Sequence, residues 1–81
     1  MVAGVQLRVE FTIEPFVDGA PGDHVRAALR ALESAGVAAD FGPFGSSFVI
    51  DAERLDVLAD AVAAAMGAGA SRVSTQVERA D

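Results

Sequence analysis

The sequence predicts an α+β fold in which four strands and two helices follow one another in the order βαββαβ. Three observations support this prediction. Polar and apolar residues alternate near both ends of the chain, two other segments repeat apolar residues with helical spacing, and Gly and Pro residues separate the segments. With 81 residues the chain has the length of one domain, which we place at residues 1–81.

The first strand is predicted over residues 5–16. Its apolar residues occupy every second position and its polar residues the positions between, with Val5, Leu7, Val9, Phe11 and Ile13 against Gln6, Arg8, Glu10, Thr12 and Glu14. Strict alternation is typical of a strand with one buried and one exposed face. Pro15 and the pairs Asp18-Gly19 and Pro21-Gly22 then indicate a turn.

The first helix is predicted over residues 23–35. Its apolar positions have helical spacing and are Val25, Ala28, Leu29 and Leu32. Asp23 is the expected N-cap, and Gly36 is expected to end the helix in a left-handed conformation. His24, in the first turn, is expected to be exposed to solvent.

A hairpin is predicted over residues 37–50, because two strand-like segments are interrupted by Gly42, Pro43 and Gly45. Proline and glycine are poorly tolerated in a central strand, so the first strand of this hairpin is expected at the sheet edge. Phe48, like Phe11 on the first strand, has the position of a core residue.

The second helix is expected to be capped by Asp51 and to run to about residue 66. Its predicted apolar stripe consists of Leu55, Leu58, Ala59, Val62 and Met66. Gly67 and Gly69 end it. Residues 72–78 alternate again and predict the fourth strand.

This order of elements is the ferredoxin-like arrangement, a four-stranded antiparallel sheet with two helices. Right-handed crossovers place both helices on one face of the sheet. The opposite face is then uncovered, and function or assembly is expected there.

The composition excludes several classes of function. The chain has no Cys and no Lys, so a thiol nucleophile, a Schiff base and a P-loop lysine are excluded. A net charge of −6 argues against nucleic acid, because basic side chains drive such binding. One His cannot build a His-based metal cage, and no nucleophile–base pair can be named. We expect a non-enzymatic protein with no metal and no cofactor.

The longest run without a formal charge, residues 61–71, is too short to span a bilayer. The first residues pass directly into the alternating pattern, without the basic and apolar regions of a signal peptide. We therefore expect no membrane partner and a cytoplasmic location. The chain is rich in Ala, which contributes little buried area, so self-association is expected to reinforce the fold.

Candidate site residues on the first strand are Glu10, Thr12 and Glu14, which share its polar face. The two carboxylates could accept hydrogen bonds from an amine or lie near a cation. Alternatively they are ordinary residues of a wet sheet face, or they pair with Arg8 and Arg72.

The hairpin supplies the other candidates. Phe44 could present its ring for stacking, or it could be buried in the core. The hydroxyls of Ser46 and Ser47 could bind a ring nitrogen or an amine, or merely complete a turn. Phe41 has the position of a core residue, and could also line a pocket between sheet and hairpin.

Four segments, in order and at matching spacing, resemble the YkoF-like family of thiamine- or hydroxymethylpyrimidine-binding proteins. They are residues 9–16, the helix that follows, residues 37–47 with Gly42-Pro43-Phe44-Gly45-Ser46-Ser47, and residues 68–77 with an Arg-Val strand after a Gly turn. The family commonly continues with a polar or acidic stretch after Gly-Pro-Phe-Gly-Ser/Thr, whereas this chain continues Phe48-Val49-Ile50.

The resemblance covers nearly the whole chain and implies a ferredoxin-like subunit that pairs with itself, as a homodimer or homotetramer. It also implies that the subunit binds the pyrimidine portion of thiamine or its precursor without catalysing a reaction, and it places the family's Ser/Thr at Ser46 and Ser47. The alternative is an ACT-like regulatory or oligomerisation module with another small-molecule or protein partner.

Overall fold

The computed structural model of the chain describes residues 4–16, 22–42 and 45–80. It contains the predicted order of strands and helices, with one added 3-10 turn. The elements are β1 (Gln6–Glu14), α1 (Asp23–Ser34), β2 (Asp40–Gly42), β3 (Gly45–Asp51), the 3-10 turn (Ala52–Arg54), α2 (Asp56–Gly67) and β4 (Arg72–Arg79). The predicted βαββαβ order is therefore confirmed.

The strands form one sheet in the order β2-β3-β1-β4, and every neighbouring pair is antiparallel. β1 lies in the middle, with Val9 opposite Phe48 of β3 and Val77 of β4. The three-residue β2 is at one edge, as predicted, and the eight-residue β4 is at the other. This is the predicted ferredoxin-like sheet.

The core lies between the two helices and one face of the sheet. Val9 of β1 and Leu32 of α1 are its largest fully buried side chains. Phe11 and Phe48, both buried as predicted, meet edge to face with their ring centres 5.8 Å apart. Alternation along β1 therefore sends its apolar side chains into the core and its polar side chains to the uncovered face.

The predicted apolar stripe of α2 is wrong in part: Leu58 packs against the core as predicted, but Leu55, Ala59 and Met66 are exposed. The helix buries Val57, Ala61 and Ala65, whereas Leu55 is 42% and Met66 45% exposed. Small Ala side chains allow close approach to neighbouring elements, so the contact face follows them and not the largest apolar residues.

The helix ends also differ from the prediction in part. Gly22 is the N-cap of α1, and Asp23 is its first residue, with the carboxylate bonded to Arg26. Asp51 caps the 3-10 turn, since its side chain accepts a hydrogen bond of 3.0 Å from the backbone N–H of Glu53. α1 ends at Ser34 with Ala35 as its C-cap, and Gly36 follows in the predicted left-handed conformation, with a φ of 78°.

Candidate ligand-binding site

The helices leave one side of the sheet uncovered, and we call this side the open face. On β1 it carries the even-numbered residues from Gln6 to Glu14, because the odd-numbered residues from Val9 to Ile13 are buried in the core. The strand register then fixes which residues of the neighbouring strands share this face, since residues directly opposite each other point the same way.

Four polar side chains lie in register across all four strands of the open face. Glu10 is opposite Ser47 on one side and Gln76 on the other, and Ser47 is opposite Asp40 of the edge strand. We call Asp40, Ser47, Glu10 and Gln76 the polar row. With strands about 4.8 Å apart, it spans roughly 14 Å, the scale of a two-ring organic molecule.

Beside the polar row, two glycines form a depression in the open face. Gly42 lies opposite Gly45, and a Cβ built on Gly45 would come within 3.0 Å of both the Thr12 methyl group and the Phe11 carbonyl oxygen. A side chain at residue 45 would therefore collide with β1. At these two positions the open face has no side chain, so the surface between them and the polar row is concave.

The polar row and the glycines enclose a hollow of about 620 Å³. This volume is within the range of small-molecule sites, which is roughly 300–1,000 Å³. Its border includes the polar row together with Arg8, Phe11, Thr12, Phe41, Gly42, Gly45, Ser46, Ser74 and Thr75. Its border combines hydroxyl, amide and carboxylate groups with apolar surface, so it suits a small organic ligand that also offers several hydrogen-bonding atoms.

The ionisable groups of the hollow are Arg8, Glu10 and Asp40. The Arg8 guanidinium pairs with the Glu10 carboxylate at 3.2 Å, and both side chains are 47% exposed. Among the described residues, Asp40 has no ion-pair partner. The hollow thus carries one carboxylate more than it carries cations, which favours an amine or a cation over an anion.

Five of the seven predicted site residues border the hollow, namely Glu10, Thr12, Phe41, Ser46 and Ser47. Glu14 does not border it and instead lies 3.8 Å from Arg72. Phe44 lies outside the described residues. The two carboxylates therefore differ in position. Glu10 lies in the hollow, whereas Glu14, the last residue of β1, lies outside it.

Ser46 and Phe41 border the hollow from the other side of the sheet. Ser46 is 6% exposed and lies opposite Phe11, which belongs to the core. Phe41 lies opposite Ser46 but is 53% exposed, so it is not the core residue that its position in the sequence suggested. The reason is that β2 is an edge strand, with no strand beyond it.

Four polar residues on the open face border the hollow but were not predicted as candidates, namely Arg8, Asp40, Ser74 and Gln76. Arg8 shares the alternation of Glu10, and this signal could have identified it. Asp40, Ser74 and Gln76 reach the hollow only through the register in which β2 pairs with β3 and β4 pairs with β1. That register cannot be predicted from the alternation within a single strand.

His24 is buried, so the expectation that it is exposed is wrong. Its Nε2–H donates a hydrogen bond of 2.6 Å to the carbonyl oxygen of Pro15, which connects the start of α1 to the segment after β1. The described residues contain no group of three or more His, Asp or Glu side chains able to hold a metal ion. No helix among residues 4–16, 22–42 and 45–80 is long and apolar enough to cross a membrane.

A second depression, of about 700 Å³, adjoins the first along β3. Two of its polar side chains bond to the chain itself. Arg54 donates to the carbonyl oxygen of Ala35 at 2.8 Å, and Asp51 accepts from the backbone of Glu53. The hollow is the better candidate for a ligand because it alone of the two holds the complete polar row of Asp40, Ser47, Glu10 and Gln76.

Comparison with known proteins places the fold. No family model matches the chain, and no curated protein matches it. A domain of unknown function, DUF77, from Bacillus cereus is similar, with a TM-score of 0.67, 23% identity, and coverage of 98% of this chain and 79% of that one.

Two further solved structures are similar to this chain, with comparable TM-scores. A hypothetical protein from Methanocaldococcus jannascii has a TM-score of 0.65 and 17% identity, covering 94% of this chain and 79% of that one. A protein from Streptococcus pneumoniae has a TM-score of 0.66 and 19% identity, covering 94% and 86%. These structures share the fold of the chain.

Proposed function

We propose that the hollow on the open face binds thiamine or its hydroxymethylpyrimidine precursor, and that the protein binds this ligand without transforming it. The observation that carries the proposal is the polar row, in which Asp40, Ser47, Glu10 and Gln76 lie in register inside a hollow of small-molecule size. The resemblance of the chain's short motifs to the YkoF-like family supplies the identity of the ligand.

The chemistry of the polar row fits an aminopyrimidine. The exocyclic amine donates hydrogen bonds, and the carboxylate of Glu10 accepts them. Ring nitrogens accept hydrogen bonds, and the hydroxyl of Ser47 and the amide of Gln76 donate them. The cationic thiazolium ring of thiamine is attracted by the carboxylate of Asp40, at the outer end of the polar row.

The proposal includes no catalytic residue, cofactor or metal. It places the protein in the cytoplasm, where it self-associates as a homodimer or homotetramer and holds its ligand for another protein to use. The small, Ala-rich core supports self-association, because a domain of this size buries limited apolar area by itself.

Isothermal titration calorimetry with thiamine and with hydroxymethylpyrimidine tests the proposal. Saturable heat is expected with at least one of them, and Glu10→Gln is expected to raise the Kd at least roughly tenfold, because charge-assisted hydrogen bonds are lost. The control Glu33→Gln makes the same change on the exposed surface of α1 and is expected to leave the Kd unchanged. Absence of saturable heat with both ligands overturns the proposed function.

An ACT-like regulatory or oligomerisation module remains the second candidate. The long unpaired edge of β4 favours it, because such an edge is suited to pairing with another chain. A stable oligomer that takes up neither thiamine nor hydroxymethylpyrimidine would support this candidate over the first.

A further inference from the structure

The edge strand β4 lacks most of the features that protect exposed sheet edges. It is eight residues long, contains no Pro or Gly, and leaves its outer backbone groups without a strand partner in the sheet. The other edge, β2, has only three residues and is followed by Pro43. Natural proteins shorten, bend or charge their edges to prevent pairing, and β4 carries charges only towards its ends.

The backbone register shows which groups of β4 point outward. Ala80 donates from its backbone N–H to the carbonyl oxygen of Gln6, so the even-numbered residues of β4 are the ones that bond to β1. The N–H and C=O groups of Val73, Thr75 and Val77 therefore point away from β1. These groups are available to a strand from outside the subunit.

We propose that β4 pairs antiparallel with β4 of a second copy, with Thr75 opposite Thr75 of the partner copy. The proposal rests on the self-association in the proposed function and assigns it a surface. In this register Val73 lies opposite Val77 of the partner copy, and Ser74 lies opposite Gln76. Each strand then donates and accepts hydrogen bonds at Val73, Thr75 and Val77, and both helix layers lie on the same side of one continuous sheet.

Charge selects this register over its neighbours. Arg72 lies opposite Glu78 of the partner copy, and within each subunit Glu78 is already opposite Arg8 and Arg72 opposite Glu14. A row of alternating charge then crosses four strands, from Arg8 and Glu78 of one copy to Arg72 and Glu14 of the partner copy. The two-fold symmetry of the pair produces a second, identical row. A shift of two residues along the strands loses the Arg72–Glu78 pair, and opposite charges stabilise a strand pair.

The apolar pattern agrees with the same register. Val77 is 46% exposed on the helix side of the edge strand, and Val73 packs against the core. Pairing places Val77 of each copy next to Val73 of the other, so its exposed surface is covered. Ser74 and Gln76 border the hollow, so the hollows of the two copies meet at the symmetry axis.

Sedimentation velocity tests the proposal with a proline variant. The N–H of Thr75 is not used inside the subunit, so Thr75→Pro removes a donor that only the second copy needs. The wild type is expected at a multiple of 8.3 kDa, and Thr75→Pro is expected to raise the dimer Kd at least roughly tenfold with circular dichroism unchanged. A folded Thr75→Pro protein that associates like the wild type overturns the proposal, as does a monomeric wild type.

Charge reversal provides the second test and does not depend on proline. Arg72→Glu places like charges opposite each other at both ends of the pair and is expected to raise the dimer Kd roughly tenfold, whereas Arg72→Glu with Glu78→Arg restores it. The double variant restores no ion pair inside the subunit, so recovery reports the contact between copies. No recovery overturns the register. Thiamine titration stays separate, since a β4-paired dimer that binds no ligand contradicts only the proposed function.

Discussion

Glu10 of β1 and Ser47 of β3 lie directly opposite each other on the open face, at the centre of the polar row. The carboxylate of Glu10 accepts hydrogen bonds, and the hydroxyl of Ser47 both donates and accepts them. Strand pairing holds the two side chains at neighbouring positions. This pair is the part of the hollow most suited to recognising an aminopyrimidine, because that ring offers both an amine donor and ring-nitrogen acceptors.

The two carboxylates of β1 are expected to behave differently. Glu10 borders the hollow, and Glu14 lies beside Arg72 outside it. Glu14→Gln is therefore expected to leave the Kd for thiamine within about twofold of the wild type, while Glu10→Gln raises it at least roughly tenfold. Calorimetric titration of both variants checks this, and equal losses of affinity would contradict the placement of the site.

The adjacent serines provide a second matched pair. Ser47 is on the open face, whereas Ser46 is buried opposite Phe11. Ser47→Ala is expected to raise the Kd for thiamine roughly fivefold through the loss of one hydrogen bond, and Ser46→Ala to change it less than about twofold. A larger effect from Ser46→Ala would mean that the ligand binds on the helix side of the sheet.

Glycine at residue 45 is expected to be required for the fold. A Cβ there meets backbone and side-chain atoms of β1 at 3.0 Å, so Gly45→Ala is expected to lower the free energy of unfolding by about 1–3 kcal/mol. Gly67, at the end of α2, has no atom within 4 Å of such a Cβ, and Gly67→Ala is expected to raise the free energy of unfolding by about 0.5 kcal/mol. Urea unfolding of both variants measures the difference, and an equally stable Gly45→Ala protein would contradict this packing.

Two leucines that differ in burial are expected to differ in how much they stabilise the fold. Leu32 is fully buried, so Leu32→Ala is expected to lower the free energy of unfolding by about 2–5 kcal/mol. Leu55 is partly exposed at the start of α2, and Leu55→Ala is expected to cost less than about 1 kcal/mol. The same urea measurements compare them, and a larger loss at Leu55 would restore the apolar stripe that the sequence suggested for α2.

The sequence predicted the parts of the fold that depend on local pattern. Alternation in β1 identified the core residue Val9 and the open-face residue Glu10, and Gly36 follows α1 in the expected left-handed conformation. It did not identify the buried face of α2, because that face consists of Val57 and the small residues Ala61 and Ala65. A prediction that ranks residues by hydrophobicity instead places larger side chains, such as Leu55 and Met66, on the buried face of α2.

The site was predicted only where one strand contains it. Glu10 and Thr12 follow from the alternation of β1, but Gln76 and Asp40 enter the hollow through the register with which β4 and β2 join the sheet. His24 shows the same limit, since the partner of its Nε2–H is the carbonyl oxygen of Pro15, nine positions earlier. Contacts between distant segments are not part of a local pattern.

The most direct test of the central claim is an NMR titration of uniformly ¹⁵N-labelled protein with thiamine. The predicted result is saturable change in the amide signals of the polar row, Asp40, Ser47, Glu10 and Gln76, with α1 and α2 little affected. Either an unchanged spectrum at saturating thiamine, or changes confined to the two helices, would contradict the assignment of the open-face hollow as the binding site.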